Sequence, residues 1–186
     1  MVETVRNDVM RGGAGSWMGG GPGGVGKSYT VEKALDSWGG PYEIIKGGAT
    51  KIGLLRTLYK YRSRDNVVVF DDCDSILLDL DCISLLKAAC DTTERRRISY
   101  MTNDKIAADD EIGTIPGTWD FEGRIIFITN TDFTAAPSKL APHCEAMVSR
   151  SHYIDLQMKS SRDYIIRIKQ VVAQGLFKPL GLSQEM

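Results

Sequence analysis

The stretch GPGGVGKS, Gly21 to Ser28, constrains this chain more than any other. It fits the pattern GxxxxGK[ST], with Gly21 first, Gly26 last, then Lys27 and Ser28. The pattern needs these residue types because successive backbone N–H groups must converge on phosphate oxygens with no side chain in the way. On this reading Gly21, Pro22, Gly23, Gly24, Val25, Gly26 and Tyr29 line a phosphate cradle, Lys27 reaches the β- and γ-phosphates, and Ser28 ligates Mg²⁺. A glycine-rich linker is the competing reading, since nine of the 19 glycines fall between Gly12 and Gly26. The residues that follow oppose it. SYTVEKALDSW puts Val31, Leu35 and Trp38 on one helical face, so the glycines run into a helix N-terminus, whose partial positive charge favours a polyanion.

A length of 186 residues allows one domain with a substantial core. Net charge is −1, so bulk electrostatics give no case for nucleic acid. Cys73, Cys82, Cys90 and Cys144 show no CxxC spacing, and His143 and His152 stand apart, so buried free thiols in a reducing compartment are expected rather than zinc. No signal-peptide core and no apolar run of membrane-spanning length is present. The expected location is the cytoplasm, without membrane contact.

Along the chain, Val2 to Met10 reads as a short helix and Ser16 to Gly19 as the strand feeding the loop, a poor strand by propensity. Tyr42 to Ile45 reads as a second strand. From Ile52 to Arg64 a helix is expected, with Leu54, Leu55, Leu58 and Tyr59 inward and Arg56, Lys60 and Arg64 on a basic face. That face is either solvated or turned to nucleic acid or a neighbouring subunit.

Val67 to Phe70 is a continuous apolar run, as in a strand buried on both faces. It ends in Asp71-Asp72-Cys73-Asp74. Ligands of open α/β sheets bind outside the carboxyl ends of the strands, so Asp71 is the candidate Mg²⁺ partner and Asp72 the candidate base or water-positioning residue. Asp74 is expected to cap a helix from Leu78 to Cys90.

Arg97 to Met101 and Gly117 to Phe121 read as an inserted hairpin around an acidic loop with Asp109, Asp110 and Glu111. Arg95-Arg96-Arg97 suits a solvated helix end, or a contact to phosphate or a subunit. Ile125 to Ile128 is another buried strand, after which Asn130 is placed to hold an attacking water. A helix made irregular by Pro142 leads to Ser149 and Arg150. A strand from His152 to Leu156 follows, then a helix with Ile165, Ile168 and Val172 on one face.

Taken together these residues resemble the AAA+ ATPases. GPGGVGKS looks like their Walker A motif, VVVFDD their Walker B motif, Asn130 in IIFITN their sensor 1, and Ser149-Arg150 their arginine-finger position. The wording FDDCDSIL, LLKAACD and IIFITN is most similar to AAA+ proteins encoded by bacteriophages. The resemblance implies a three-layer α/β core over residues 1–156 with a parallel sheet in the order 5-1-4-3-2. A helical lid, shortened or minimal, would begin in residues 157–186.

It also implies ATP and Mg²⁺ as ligands and a homo-oligomeric ring or arc, such as a hexamer, in which Arg150 acts on the neighbour's ATP. Catalysis would then fall to Asp72, Asn130 and Arg150. Three departures stand out. Asp72 occupies the usual glutamate position, no sensor 2 arginine is assignable because Arg162 and Arg167 come early, and little chain precedes the P-loop to form an adenine pocket.

The function implied is an ATP-hydrolysing oligomeric motor that remodels a macromolecule, either a nucleic acid or replication complex or a protein, in a bacterial or phage-infected cytoplasm. Lys51-Ile52-Gly53 occupies the gripping-loop position but lacks its aromatic residue. The alternative is a nucleotide-dependent assembly switch with little turnover. A small phosphotransferase fits less well, because it leaves Asn130 and Arg150 unexplained.

Overall fold

The computed structural model describes residues 15–100, 113–130, 141–156, 160–173 and 175. The expected helix from Val2, the acidic loop at Asp109 and the tail after Gly175 lie outside them.

Five parallel strands form the central sheet: β1 (Ser16–Gly20), β2 (Tyr42–Lys46), β3 (Val67–Asp71), β6 (Arg124–Thr129) and β7 (His152–Asp155). Their order is β2-β3-β6-β1-β7. Counted along the sheet this is the expected 5-1-4-3-2. The remaining strands, β4 (Arg97–Ser99) and β5 (Thr118–Asp120), pair antiparallel as the inserted hairpin.

Side-chain alternation explains why the three central strands carry unbroken apolar runs. Trp17, Val67, Val69, Ile126 and Ile128 face α1 (Lys27–Trp38), packing on its Val31 and Leu35. Met18, Val68, Phe70, Ile125 and Phe127 face the other way, toward α2 (Lys51–Lys60), α3 (Asp74–Leu78), α4 (Leu80–Ala89) and α5 (Ala141–Arg150). Both faces are therefore withdrawn from water, which places the sheet between two helical layers. The poor strand propensity of SWMGG is overridden by this position, since all five residues of β1 are buried between β6 and β7.

Several expectations are corrected. The helix expected from Leu78 starts at Leu80 and Leu78 ends the preceding α3, because Asp79 is extended and its carboxylate accepts from the N–H groups of Asp81 and Cys82, capping α4. Asp74 is not a cap; it begins α3 and accepts from the Thr129 hydroxyl at 2.6 Å. Helix α2 ends at Lys60, which takes Arg64 off the basic face. Helix α5 is described over Ala141–Arg150, which takes in Pro142. In α6 (Ser161–Ala173) Ile165 and Ile168 are exposed, and Val171 is the buried residue instead.

Candidate functional site

Strand β1 ends at Gly20, and the chain turns through Gly21 to Gly26 into α1. Gly26 is the N-cap, with φ 77°, and Gly24 has φ 79°, left-handed values that favour glycine. Around the position of a Cβ on Gly24 there is nothing within 4 Å, so the loop bounds open space. That space is a cavity of about 540 Å³, lined among others by Gly24, Lys27, Tyr29, Asp71, Asp72 and Asn130.

Within it the side chains hold one another. The Lys27 ammonium donates to the carbonyls of Gly21 (2.7 Å) and Pro22 (2.8 Å) and to Oδ1 of Asn130 (2.7 Å). Burial lowers its pKa, an effect opposed by the carboxylates of Asp71, Asp72 and Asp74. Asn130 in turn donates to Asp72 Oδ1 at 3.1 Å. The Ser28 hydroxyl donates to Asp71 Oδ1 at 2.8 Å.

Asp72 has φ 57° and is the one non-glycine residue with positive φ among those described. Aspartate and asparagine enter this region more readily than longer side chains. The turn is held by the Asp72 N–H donating to Ile128 O at 2.9 Å. This backbone gives a physical reason for aspartate where the resembled family carries glutamate.

The sequence-derived site therefore divides. Lys27, Ser28, Asp71, Asp72 and Asn130 come together at the carboxyl edge of the sheet, with Tyr29 beside them. Arg150 does not. It ends α5 at the opposite edge, donates to Ala146 O at 3.0 Å, and lies 3.8 Å from Asp91. Its own carbonyl accepts from the Ser16 hydroxyl at 2.9 Å. A second cavity there, of about 460 Å³, is lined by Arg64, Arg96, Arg124 and Arg150 together with Asp91 and Glu122.

The basic cluster before the hairpin is engaged internally: Arg95 and Arg97 both bind Asp120, while Arg96 donates to the carbonyls of Ala89 and Gly123.

Two residues near the phosphate loop were not singled out from sequence. Lys46, last in β2, is in register with Asp71, and its ammonium lies 3.8 Å from Asp71 Oδ2. Finding it needs the register of β2 on β3. Arg167 of α6 donates to Val25 O at 2.9 Å and to Thr30 Oγ1 at 2.8 Å. Its position in the chain had set it aside.

The residues fit a Mg–nucleotide. Mg²⁺ prefers few protein oxygens plus phosphates, and Ser28 Oγ with the Asp71 carboxylate is such a set. Among the described residues no three His, Cys, Asp or Glu side chains form a dedicated metal cage.

Fold and site together define a three-layer α/β core with a five-stranded parallel sheet and a glycine loop leading into α1. RuvB of Thermotoga maritima has this fold: in one point variant 93% of this chain matches 48% of that chain with TM-score 0.56 at 15% identity. A second variant matches 93% of this chain and 50% of its own, with TM-score 0.53 and 14% identity. In sequence, an uncharacterised 36.7 kDa protein from the nrdC–mobD intergenic region of Enterobacteria phage T4 is 35% identical over 193 aligned positions. That alignment takes in all of this chain and 58% of the phage protein, so the chain spans little more than half of its phage relative and about half of RuvB. No protein-family model matches the sequence. Among the described residues no helix is long and apolar enough to cross a membrane.

Proposed function

We propose that the chain is a Mg²⁺-dependent ATPase unit of AAA+ type, which assembles with copies of itself and uses turnover to remodel a macromolecule. The observation that carries this reading is the hydrogen-bonded path Lys27–Asn130–Asp72 beside the Ser28–Asp71 pair, all in one cavity.

In this reading Lys27 exchanges its loop carbonyls for phosphate oxygens. Asn130 and Asp72, already joined, hold and orient the attacking water. Mg²⁺ held there would supply positive charge to offset that of the transferred group. Asp71 and Ser28 provide its protein ligands. Arg150 cannot reach the cavity of its own chain, so it serves a second copy.

The substrate is either nucleic acid or protein. Lys51 is half-buried and paired with Asp81 at 2.7 Å in the first turn of α2, which leaves Ile52, 38% exposed, as the candidate gripping side chain.

The test is ATP hydrolysis against protein concentration with size followed by light scattering, using Lys27→Ala and Arg150→Ala as controls. Specific activity that rises with assembly and is lost in both variants supports the motor. A second reading is a nucleotide-dependent assembly switch, favoured by the shorter Asp72 carboxylate being tied to Asn130. Flat, slow turnover that Asp72→Asn hardly changes, with nucleotide-dependent assembly intact, selects the switch.

A further inference from the structure

We propose that Arg167 is a positioning residue for phosphate binding: from outside the cavity it grips the Val25 carbonyl and so aims the next amide, Gly26 N–H, toward the phosphates. The inference rests on reading Gly21 to Ser28 as a phosphate cradle.

In a trans peptide the carbonyl and the following N–H point in opposite directions, and there are no cis peptides among the described residues. Whatever holds Val25 O therefore orients Gly26 N–H. Arg167 holds it at 2.9 Å. Gly26 lines the 540 Å³ cavity, whereas Arg167 is not part of its wall. The carbonyl side of this peptide thus faces α6 and the amide side faces the cavity.

A second bond makes the grip rigid. The same planar guanidinium donates to Thr30 Oγ1 at 2.8 Å, and Thr30 is buried in the first turn of α1, its own N–H bonded to Gly26 O. One flat fork thereby fixes the last turn of the loop against the helix it feeds. Val171, one helical turn beyond Arg167, presses on the same spot. A Cβ on Gly26 would lie 2.9 Å from Val171 Cγ2.

The charge is also unusual in place. Burial disfavours the Arg167 cation, and among the described residues no carboxylate pairs with it. It sits at a helix N-terminus, where cations are normally unfavourable. A bound polyanion on the far side of the same peptide would offset both costs.

The full chain serves for the test, with inorganic pyrophosphate and ADP as calorimetric probes and the Gly26 amide resonance as the spectroscopic readout. Arg167→Met should weaken both probes about ten-fold, the size of one charge-assisted hydrogen bond. It should also abolish the downfield shift of the Gly26 amide that pyrophosphate induces in the wild type. Arg167→Lys, which reaches one acceptor but not both, should fall between. Thr30→Val removes only the second acceptor and should stay within about two-fold of wild type.

Wild-type affinity and an unaltered Gly26 shift in Arg167→Met would overturn the proposal. So would an equal loss in Thr30→Val, which would make the arginine a packing post. If the wild type itself binds neither probe, the phosphate-cradle reading fails and this inference falls with it.

Discussion

The two edges of the parallel sheet carry polar side chains in different states of engagement. At the carboxyl edge Lys27, Ser28, Asp71, Asp72 and Asn130 are joined to one another, Lys27 donating to two loop carbonyls as well. At the amino edge the arginines bond largely to main-chain carbonyls: Arg96 to Ala89 and Gly123, Arg124 to Arg64, Arg150 to Ala146. Side chains that hold each other can exchange a partner for a ligand. A guanidinium spent on carbonyls is a strut.

Arg150 falls between these cases. It has one carbonyl, an acid 3.8 Å away, and a side chain one-third exposed. Four residues of β1, Trp17 to Gly20, separate its anchor at Ser16 from the phosphate loop, roughly 16 Å from Ser16 to Gly21. The proposed motor therefore consists of two half-sites that one chain cannot close on itself.

That comparison breaks most sharply at Arg150. Arg150→Ala should lower assembled turnover by roughly 10³-fold or more while leaving nucleotide affinity unchanged, the pattern of a group that acts only in the transition state. Mixing it with Lys27→Ala subunits should restore part of the activity, because each variant keeps the half-site the other lacks. Steady-state kinetics of the mixtures decide it. If Arg150→Ala loses affinity rather than turnover, the amino edge is structural after all.

Asp72→Asn tests the carboxyl edge. Turnover should fall by about 10² to 10⁴ with ATP still bound, since the amide cannot take a proton. Asparagine suits φ 57°, so unfolding free energy should change by less than about 0.5 kcal/mol. Equal turnover in the variant would remove Asp72 from the chemistry.

What could be read from the sequence follows the same division. The sheet order came from the family resemblance, whereas the carboxyl-edge residues were legible because the motif fixes its own context: glycines, a lysine and a hydroxyl between strand and helix, then acids at the end of an apolar run. The SWMGG strand was legible only through that motif, its propensity being poor. Less legible was anything set by packing between distant segments.

The break at Asp79 depends on a side chain capping the backbone two and three residues ahead, which helical periodicity overrides on paper. The stripe of Ile165, Ile168 and Val172 has the right spacing for a buried face, yet the face that docks carries Arg167 and Val171. The pairing of Lys46 with Asp71 needs strand register, which no local pattern supplies.

Gly26→Ala gives a smaller effect that is still local to the carboxyl edge. A residue other than glycine at φ 77° costs about 1–2 kcal/mol, and the new Cβ would crowd Val171. Urea unfolding should show a loss of at least that size. Gly39→Ala, at φ 73° with nothing within 4 Å of the added Cβ, should lose only the backbone part. Equal losses in the two variants would mean that α6 does not press on the loop.

Alkaline pH should act with opposite signs on Cys90 and Lys27. Cys90, wholly buried at the amino edge, has its thiol pushed up from 9.0 to about 12, mainly by burial. Between those values the folded chain keeps a proton that the unfolded chain has released, so this contribution is full below pH 9 and falls as pH rises toward 12. Lys27 behaves inversely. Its pKa is lowered from 10.5, so between the lowered value and 10.5 the unfolded chain holds the extra proton and rising pH favours the fold. Denaturant unfolding at pH 8 and pH 10 should therefore show a net loss in the wild type, of which Cys90 supplies up to about 1.4 kcal/mol over the first unit above its unfolded pKa. Cys90→Ala should flatten part of that fall, to which the raised Cys82 thiol also contributes, and Lys27→Met should steepen it by removing a contribution that opposes the loss. A pH dependence unchanged by either substitution would mean that neither group carries the buried titration its packing demands.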